Sequence, residues 1–569
     1  MHDLVIRGGL VVDGTGAAPF AADVAIAGGR IAAIGPVADA GREEIDAAGR
    51  IVTPGFVDIH THYDGHAVWG ERLAPSSAHG VTTAIIGNCG VGFAPCRPGD
   101  RERLVSLMEG IEDIPEIVLT DGLTWDWESF PDFLAVLAGR RYDMDVAAYI
   151  PHAPLRVYVM GERAAAHEPA NAADLERMGS IVAEAMAAGA MGFSTSRTLT
   201  HRANDGWLTP SYAAGERELA AIAVAMGRSG AGALQLISDF DDVDGEFDML
   251  ERVAAAAGRP AWISLLQQAH VPDRWRAVLA RIDRANARGI AIRAQVAPRP
   301  VGAFLGLELH LNPFSPCPSH AAIAGRPFDE RLAAMRDPDL RARLIAEQPA
   351  SVSGIRAAAW RFENLFPLAD PPCYEPTPEQ SIAARAAAAS VDPVEYAYDL
   401  LVAGDGKAIV FMPTSNFVGG STAAVATMLR SEHALLGLGD GGAHCSTICD
   451  ASFPTYLLTR WARDGDIGLT IARAVRMLSA DNAAAMGLDD RGTIAVGKRA
   501  DLNVIDVDRL ALHRPAIVHD LPLGRGRLHQ RADGYDATIV AGTPTYRHGL
   551  ATGALPGRLV RAHDHAVAA

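Results

Sequence analysis

The segment GFVDIHTH, residues 55–62, is the most informative stretch of this sequence. It begins as an apolar run and ends in two histidines, His60 and His62, with one residue between them. Successive side chains of a β-strand alternate between its two faces, so both imidazoles point the same way. Imidazole is a common ligand of zinc and similar divalent ions. The motif therefore predicts a metal site at the carboxyl end of a strand, and the competing interpretation is a structural histidine pair.

Seven further strand-like segments follow this motif, and Ala-rich helical stretches such as 172–188 and 214–229 lie between them. Alternation of strands and helices is typical of a parallel α/β fold. Eight such strands predict a (β/α)8 TIM barrel, whose chemistry lies at the carboxyl ends of the strands. The candidate strands cover residues 55–62, 81–89, 145–152, 190–196, 233–238, 260–267, 290–296 and 435–444.

The two ends of the chain have a different sequence pattern from the middle. Short apolar runs broken by Gly and Asp-Gly turns occupy residues 1–50 and return at 491–506 and 535–549. This similarity predicts one small β-sandwich domain built from both chain ends. The predicted domains are residues 1–53 for the N-terminal part of the sandwich, 54–484 for the barrel, and 485–569 for the C-terminal part and a tail.

The gap between the seventh and eighth candidate strands is too long for one crossover. It predicts an insertion at about 297–435 that contains Pro-rich and Arg/Ala-rich stretches. Long insertions of this kind often act as lids or binding elements over a barrel mouth. The alternative is a scaffold element or an oligomer contact, and the sequence leaves both open.

Composition restricts the partners of the chain. Its 569 residues carry a formal net charge of −17 that is spread along the sequence, so no nucleic-acid partner is expected and the charge favours solubility. No run of about 18 apolar residues occurs, which predicts no membrane span. Six cysteines without a CxxC pair, and an N-terminus that does not resemble a signal peptide, predict a reduced cytoplasmic protein. Assembly into a homo-oligomer stays open.

Several segments in fixed order carry a family resemblance. ADVAIAGGRIAAIG (22–35), DAAGRIVTPGFVDIHTH (46–62), GLGDGGAH (437–444) and GTIAVGKRADLNVID (492–506) resemble the amidohydrolase superfamily. Within it, GVTTAIIGNCGVGFAP (80–95) and GAMGFSTS (189–196) are most similar to the D-aminoacylase, or N-acyl-D-amino-acid deacylase, group. The resemblance implies a zinc-dependent hydrolase that opens an amide bond.

Cys89 ends the second candidate strand inside Gly-Asn-Cys-Gly. A thiolate is a good soft ligand for zinc. The resemblance implies that Cys89 is a metal ligand, where many relatives use a carboxylated lysine on another strand. The candidate middle strands contain no lysine, which agrees with this assignment. The competing interpretation is a small buried cysteine.

Asp440 ends the eighth candidate strand between glycines, which let backbone and substrate approach closely. The resemblance implies that Asp440 binds the metal and acts as the catalytic residue. It would take a proton from the attacking water and deliver it to the leaving nitrogen. The competing interpretation is an aspartate that caps a helix N-terminus.

One departure from the family pattern concerns the second metal. The family has a metal-binding histidine at the end of the fifth and of the sixth strand, but residues 234–238 and 264–268 contain none. His270 could substitute as a ligand, although a loop histidine is the simpler interpretation. The sequence therefore predicts one zinc ion, held by His60, His62 and Asp440 with Cys89 nearby.

The predicted substrate is a small molecule. His152, Arg197 and His444 lie at or just after strand ends and are candidate substrate-binding residues, because an arginine there could clamp a carboxylate. The first hypothesis for the function is hydrolysis of an N-acyl amino acid, of the D series by resemblance. The alternatives are hydrolysis of a cyclic amide or a lactone, and a non-catalytic scaffold that retains the barrel.

Overall fold

The computed structural model describes residues 1–347, 354–465 and 467–563. Parallel strands and helices alternate through the central part of the chain, as predicted for an α/β fold. The strands form one parallel sheet of three and one of six. Numbered one to eight, with the third in two pieces, they are Phe56–Asp58, Val81–Ile86, Asp145–Ala148 with Ile150–Pro151, Gly192–Arg197, Ala233–Ser238, Ala261–Ser264, Ile292–Val296 and Ala434–Leu436.

A backbone bridge and a side chain connect the outer edges of these two sheets. Thr61, just after strand one, forms a parallel bridge with Gly441, which follows strand eight. The amide nitrogen of the Asn482 side chain donates to the carbonyls of Val57 at 2.7 Å and Leu436 at 2.9 Å. The first and eighth strands are therefore neighbours, and the residues that follow them lie side by side.

The eighth strand is shorter than predicted. It ends at Leu436, whereas the sequence predicted a strand through residue 444. The chain after it turns into left-handed backbone, with φ of 59° at Leu438, 46° at Asp440 and 52° at His444. A strand requires negative φ, so this glycine-rich segment forms a loop. Asp440 consequently lies in a loop and not within a strand.

Helices follow most of the parallel strands. The predicted helical segments at 172–188 and 214–229 are confirmed as Ala172–Ala188 and Glu216–Gly227. The first of these begins after Asn171, whose side chain accepts from the Asp174 amide, and ends at Gly189 in left-handed backbone. The other helices outside the insertion are His66–Trp69, Arg101–Glu112, Glu116–Gly122, Phe130–Ala138, His152–Met160, Glu162–Ala165, Val243–Ala257, Arg274–Ala287, Phe453–Tyr456, the π-helix Leu457–Arg463, Ile471–Leu478 and Ala480–Ala485.

The segment between strands seven and eight has its own sheet and its own core. Val410–Ser415 pairs antiparallel with Val301–Leu305 and with Phe366–Pro367. Buried side chains such as Phe314 and Tyr398 form a separate hydrophobic cluster. Residues 348–353 of the predicted insertion lie outside the described residues. The helices of this segment are Pro318–Ala321, Phe328–Met335, Pro338–Ala346, Gly354–Ala358, Ile382–Ala389, Pro393–Val402 and Ala423–Arg430.

This inserted segment contacts loops that follow the parallel strands. The Phe304 amide donates to the Thr447 carbonyl at 2.7 Å, in the loop after strand eight. His310 Nδ1 lies 3.0 Å from Oδ1 of Asp113, which follows the helix Arg101–Glu112 after strand two. The insertion therefore contacts the molecule at the carboxyl ends of these two strands.

Strands from the two chain ends form one sheet of nine strands. Ile51–Pro54 pairs antiparallel with Leu502–Ile505, and residues from both ends share one apolar core. Gly557 and Leu559 instead bridge Tyr142 and Val146 beside strand three. Residues 564–569 of the predicted tail lie outside the described residues. The nine strands are His2–Val11, Phe20–Ala27, Arg30–Gly35, Gly41–Asp46, Ile51–Pro54, Leu502–Ile505, Tyr535–Val540, Thr543–Arg547 and Leu550–Ala551.

All six cysteines are free thiols. Among the helices of the described ranges, none combines the length and the hydrophobicity that a membrane crossing requires.

Candidate active site

Three of the predicted ligands lie together at the carboxyl ends of strands one and two. One ligating atom from each of His60, His62 and Cys89 lies within 4.8 Å of the others. The Cys89 Sγ atom is 3.3 Å from Nε2 of His60. All three residues are buried, with 1%, 2% and 5% of their surface exposed. Within residues 1–347, 354–465 and 467–563, this is the one group of three or more His, Cys, Asp or Glu side chains with ligating atoms this close.

Asp440 approaches this cluster from the loop after strand eight. Its Oδ1 atom lies 3.5 Å from Nε2 of His60 and 3.8 Å from Nε2 of His62. Oδ1 is buried and has no hydrogen-bond partner among the described residues, while the side chain as a whole is 27% exposed. A Cβ at Gly441 would come within 2.4 Å of Ser76 Oγ, so the close approach of this loop requires glycine.

Three spacings between these donor atoms fit zinc, and Asp440 lies outside the group of three whose ligating atoms are all within 4.8 Å of one another. Zinc bonds to nitrogen, oxygen and sulfur place tetrahedral ligand atoms about 3.3–3.8 Å apart. The contacts of His60 Nε2 with Cys89 Sγ and Asp440 Oδ1, at 3.3 and 3.5 Å, and that of His62 Nε2 with Asp440, at 3.8 Å, lie in this range. The unpartnered Oδ1 atom of Asp440 also needs a cationic or hydrogen-bonding partner. The donor set therefore fits a bound metal ion, with Asp440 approaching from the side of the two histidines.

The electrostatic environment of the cluster favours a bound cation. Burial lowers the pKa of His60, and burial together with the neighbouring His60 lowers that of His62 well below 6.5, so both imidazoles are neutral and can donate a lone pair. Burial, followed by the negative charges of Glu112 and Asp440, raises the pKa of Cys89 well above its ordinary value. A thiolate at this position therefore needs a positive ion beside it.

Two buried glutamines support the cluster, and sequence reasoning did not identify them. Nδ1 of His60 donates to Oε1 of Gln295 on strand seven at 2.8 Å. The backbone amide of Cys89 donates to Oε1 of Gln235 on strand five at 2.8 Å. Strand five therefore brings a carboxamide to the centre, where the family pattern has histidine. The available signal was a polar residue inside an apolar strand, in ALQLIS and IAIRAQV.

Glu112, the last residue of the helix Arg101–Glu112, was also missed. Its Oε1 lies 3.3 Å from Nδ1 of His62 and its Oε2 lies 3.9 Å from Nε2 of His444. Burial, and then the charges of Asp440 and Asp64, raise its pKa well above 4.5; a bound divalent cation would act in the opposite direction. The available signal was an acidic residue on the apolar helix face of residues 104 and 108.

Two further imidazoles lie near the cluster. His444, a predicted substrate-binding residue, has a side chain that is 21% exposed and directs Nε2 towards Glu112. His201 follows strand four and its Nδ1 lies 2.9 Å from Ser196 Oγ. Burial, and then the neighbouring His444 and His60, lower the pKa of His201 to about 3. His201 was not predicted, because its loop carries no recognisable motif.

Two of the predicted substrate-binding residues, His152 and Arg197, have internal hydrogen-bond partners. Both ring nitrogens of His152 are occupied, by Thr195 Oγ1 at 2.8 Å and by Glu218 Oε1 at 2.8 Å. Arg197 forms a bidentate ion pair with the Glu246 carboxylate, in which Nε donates to Oε2 at 2.9 Å and Nη2 donates to Oε1 at 2.7 Å. Internal partners therefore hold both side chains, and their assignment to substrate stays a prediction.

His270 does not take the place of a missing ligand. It is exposed, in a turn bounded by a bridge between Gln268 and Val271, and it is not part of the metal-ligating group. From strand six, Ser264 Oγ instead accepts a hydrogen bond from Gln235 Nε2 at 3.3 Å. Strands five and six therefore provide neutral polar groups near the cluster.

A family model and curated relatives assign the chain to the same family. The model of the Amidohydrolase family matches residues 43–546. An N-acyl-D-glutamate deacylase of Alcaligenes xylosoxydans xylosoxydans is 30% identical over 515 residues, which cover 89% of this chain and 88% of that protein. A D-aminoacylase of the same organism is 35% identical over 196 residues, which cover 34% of this chain and 37% of that protein.

Solved structures agree on the fold. A crystal structure of D-aminoacylase, 22% identical, has a TM-score of 0.65 and covers 99% of this chain and 100% of its own. An N-acyl-D-glutamate deacylase from Bordetella bronchiseptica, complexed with zinc and a phosphonate inhibitor, is 24% identical with a TM-score of 0.65 and the same coverage. A D-hydantoinase from Bacillus sp. AR9 is 16% identical with a TM-score of 0.50, and covers 98% of this chain and 99% of its own.

Proposed function

Since this chain belongs to the Amidohydrolase family, we propose that it uses one zinc ion to hydrolyse the amide bond of an N-acyl amino acid of the D series. The chain is a hydrolase of carbon–nitrogen bonds other than peptide bonds. The observation that carries the finer proposal is the position of Asp440 Oδ1, 3.5 and 3.8 Å from Nε2 of His60 and His62. The 30% identity to an N-acyl-D-glutamate deacylase supports the choice of substrate class.

The fold provides the platform for this proposal. We infer that the eight parallel strands close into a (β/α)8 barrel, because the contact between Thr61 and Gly441 connects the ends of strands one and eight. The nine-stranded sheet built from both chain ends would then form the sandwich domain. The boundaries between this domain and the barrel would lie near residues 53 and 485. The segment at about 297–435 would cover the mouth of the barrel. Its residue His310 contacts Asp113, which lies beside the metal-ligating cluster.

The metal would be held by His60, His62, Cys89 and Asp440. When bound, zinc supplies Lewis acidity and activates water for attack near neutral pH. One ion is proposed because the described strands five and six carry Gln235 and Ser264 at the centre and no third imidazole. Neutral carboxamide and hydroxyl groups are weak zinc ligands in comparison with imidazole and thiolate.

Asp440 would move the proton during hydrolysis. Its carboxylate accepts a proton as water attacks the amide carbon, and donates that proton to the nitrogen as the carbon–nitrogen bond breaks. The products are a carboxylic acid and a free amine. The partial exposure of Asp440, at 27% of its side chain, leaves one face of the carboxylate open towards the substrate.

His444 remains the proposed substrate-binding residue. Its half-buried ring lies four residues after Asp440 in the same loop and contacts Glu112 on the inner side. The remaining exposed part of the ring can donate to a substrate carboxylate or carbonyl.

We propose no nucleic-acid or membrane partner, and the six free cysteines support a reducing, cytoplasmic location.

A matched substrate screen tests this function. The purified protein is incubated with N-acyl-D- and N-acyl-L-amino acids, hydantoins and lactones, and its metal content is measured by mass spectrometry. We expect amine release from N-acyl-D-amino acids and about one zinc per chain. Hydrolysis of hydantoins or lactones alone would replace the proposed substrate class, and absence of metal with no hydrolysis would favour a non-catalytic scaffold.

A further inference from the structure

We infer that Gln295 is a positioning residue of the metal centre, which fixes the His60 ring so that its Nε2 lone pair faces Cys89 and Asp440. The inference rests on the proposed function, because it concerns the same metal centre. It assigns a role to a neutral side chain on strand seven, a strand that carries none of the proposed metal ligands.

The hydrogen bond between these side chains determines the tautomer of His60. Nδ1 of His60 lies 2.8 Å from Oε1 of Gln295, and a carboxamide oxygen can only accept. The amide is oriented by its other end, because Nε2 of Gln295 lies 3.5 Å from the Ile59 carbonyl, an acceptor. Nδ1 of His60 therefore carries the proton, and the lone pair of the neutral ring is on Nε2.

Gln295 is held rigidly enough to fix the ring direction. It is fully buried, and its backbone is paired with Ser264 of strand six on one side and Leu435 of strand eight on the other. Groups on paired strands hold a ligand more precisely than groups on loops do. The ring of His60 therefore has a fixed support directly opposite the atom that would contact zinc.

The two histidines of the centre have different supports. His62 directs Nδ1 towards the Glu112 carboxylate at 3.3 Å, whereas His60 faces the neutral amide of Gln295 at 2.8 Å. A metal-binding histidine usually donates a hydrogen bond from the ring nitrogen that does not face the metal. Removing the acceptor of that bond typically weakens metal binding 10–100-fold. A glutamate at this position keeps the acceptor for Nδ1 of His60 but loses the contact of Nε2 with the Ile59 carbonyl, whereas methionine loses both contacts.

The test compares zinc affinity among three variants of the full-length protein. Gln295→Met removes the acceptor at similar size, and Gln295→Glu keeps it. Gln530→Met is the matched control, since Gln530 is also fully buried. Its Nε2 donates to Tyr374 Oη at 2.8 Å and to the His513 carbonyl at 2.7 Å, and neither residue is a proposed metal ligand. Zinc dissociation constants are measured by chelator competition, and absorption spectra are recorded with cobalt in place of zinc.

We expect Gln295→Met to weaken zinc binding about 10–100-fold and to shift the cobalt bands. Gln295→Glu should lose less zinc affinity than Gln295→Met, because it keeps the acceptor for His60 and loses only the contact with the Ile59 carbonyl. Gln530→Met should leave both readouts unchanged. Parent-like zinc affinity and cobalt bands in folded Gln295→Met overturn the inference, as does an equal loss in the Gln295→Glu variant. A parent that binds zinc but hydrolyses no N-acyl amino acid overturns the proposed substrate alone, because these affinities are measured without substrate.

Discussion

The Oδ1 atom of Asp440 lies 3.5 Å from Nε2 of His60, although the two residues belong to opposite ends of the parallel strand order. The parallel bridge between Thr61 and Gly441 brings them together. The proposed site therefore depends on contact between the first and the last parallel strand, and each half of the ligand set is incomplete without that contact.

The double substitution His60→Ala with His62→Ala should abolish both stoichiometric zinc binding and hydrolysis. The two imidazoles are half of the proposed ligand set, and the metal-ligating group of the described residues contains no third histidine. Metal content by mass spectrometry and amine release measure the two effects. His270→Ala, in an exposed turn, is the matched control and should behave as the parent. Stoichiometric zinc in the double variant would mean that the site lies elsewhere.

Asp440→Asn should lower kcat by about 10²–10⁴, the usual cost of losing a positioned acid or base. Metal content should fall less than the rate, because the amide oxygen can still contact zinc weakly. Rate and zinc occupancy are measured on the same folded preparation. Activity within a few-fold of the parent would exclude Asp440 as the proton carrier. Parallel loss of zinc and rate would show that the carboxylate acts mainly as a ligand.

The contact between His310 and Asp113 should depend on pH. The hydrogen bond that His310 donates to the Asp113 carboxylate raises the pKa of His310 above 6.5. Burial raises the pKa of Asp113, but His310 and nearby hydroxyl groups outweigh it and hold this pKa below 3.8. The contact is therefore complete between pH 3.8 and 6.5, and it weakens as pH falls through the Asp113 pKa or rises through the His310 pKa.

An NMR titration of histidine-labelled protein measures this effect. In Asp113→Asn the pKa of His310 should return towards 6.5, because the negative partner is lost. An unaltered His310 titration in Asp113→Asn would contradict the contact.

Arg491→Met should destabilise the protein by about 3–5 kcal/mol, the usual cost of removing one partner from a buried ion pair. The Arg491 guanidinium is buried and lies 2.7 Å from Asp145 Oδ2 and 3.7 Å from Asp501 Oδ2. Its loss leaves two buried carboxylates without that partner. Denaturant unfolding measures the change, and Arg42→Met, with a side chain that is 74% exposed, is the control. Equal stability of both variants would mean that Arg499 alone balances the carboxylates.

The part of the site that the sequence predicted lies in short local motifs. His60 and His62 share one short motif, and Cys89 and Asp440 each follow a strand-like run, so the sequence indicated that all four lie near the carboxyl ends of strands. The direction of Cys89 and Asp440 did not follow from strand geometry, because both have left-handed backbone beyond the strands. The assignment to the amidohydrolase superfamily is confirmed by the family match over residues 43–546. The α/β class is confirmed too, because it depends on the alternation of strands and helices.

The remaining residues could not be predicted, because distant elements determine their contacts. Glu112 reaches His62 from a helix, and nothing near residue 112 identifies that neighbour. Arg197 was predicted at a strand end, but Glu246 from a later helix takes its donors. A position at the end of a strand therefore predicts where a residue lies in the fold, but it does not predict which partner the side chain contacts.

The sheet shared by both chain ends has a consequence for synthesis in the cell. Ile51–Pro54 emerges from the ribosome early, but its partner Leu502–Ile505 is translated only after all eight parallel strands. Until then one edge of the N-terminal strands has unpaired amides and carbonyls, a surface that can pair with other chains. Release from the ribosome before residue 502 would therefore yield an aggregation-prone fragment, and chaperones that cover exposed strand edges should matter most during this interval.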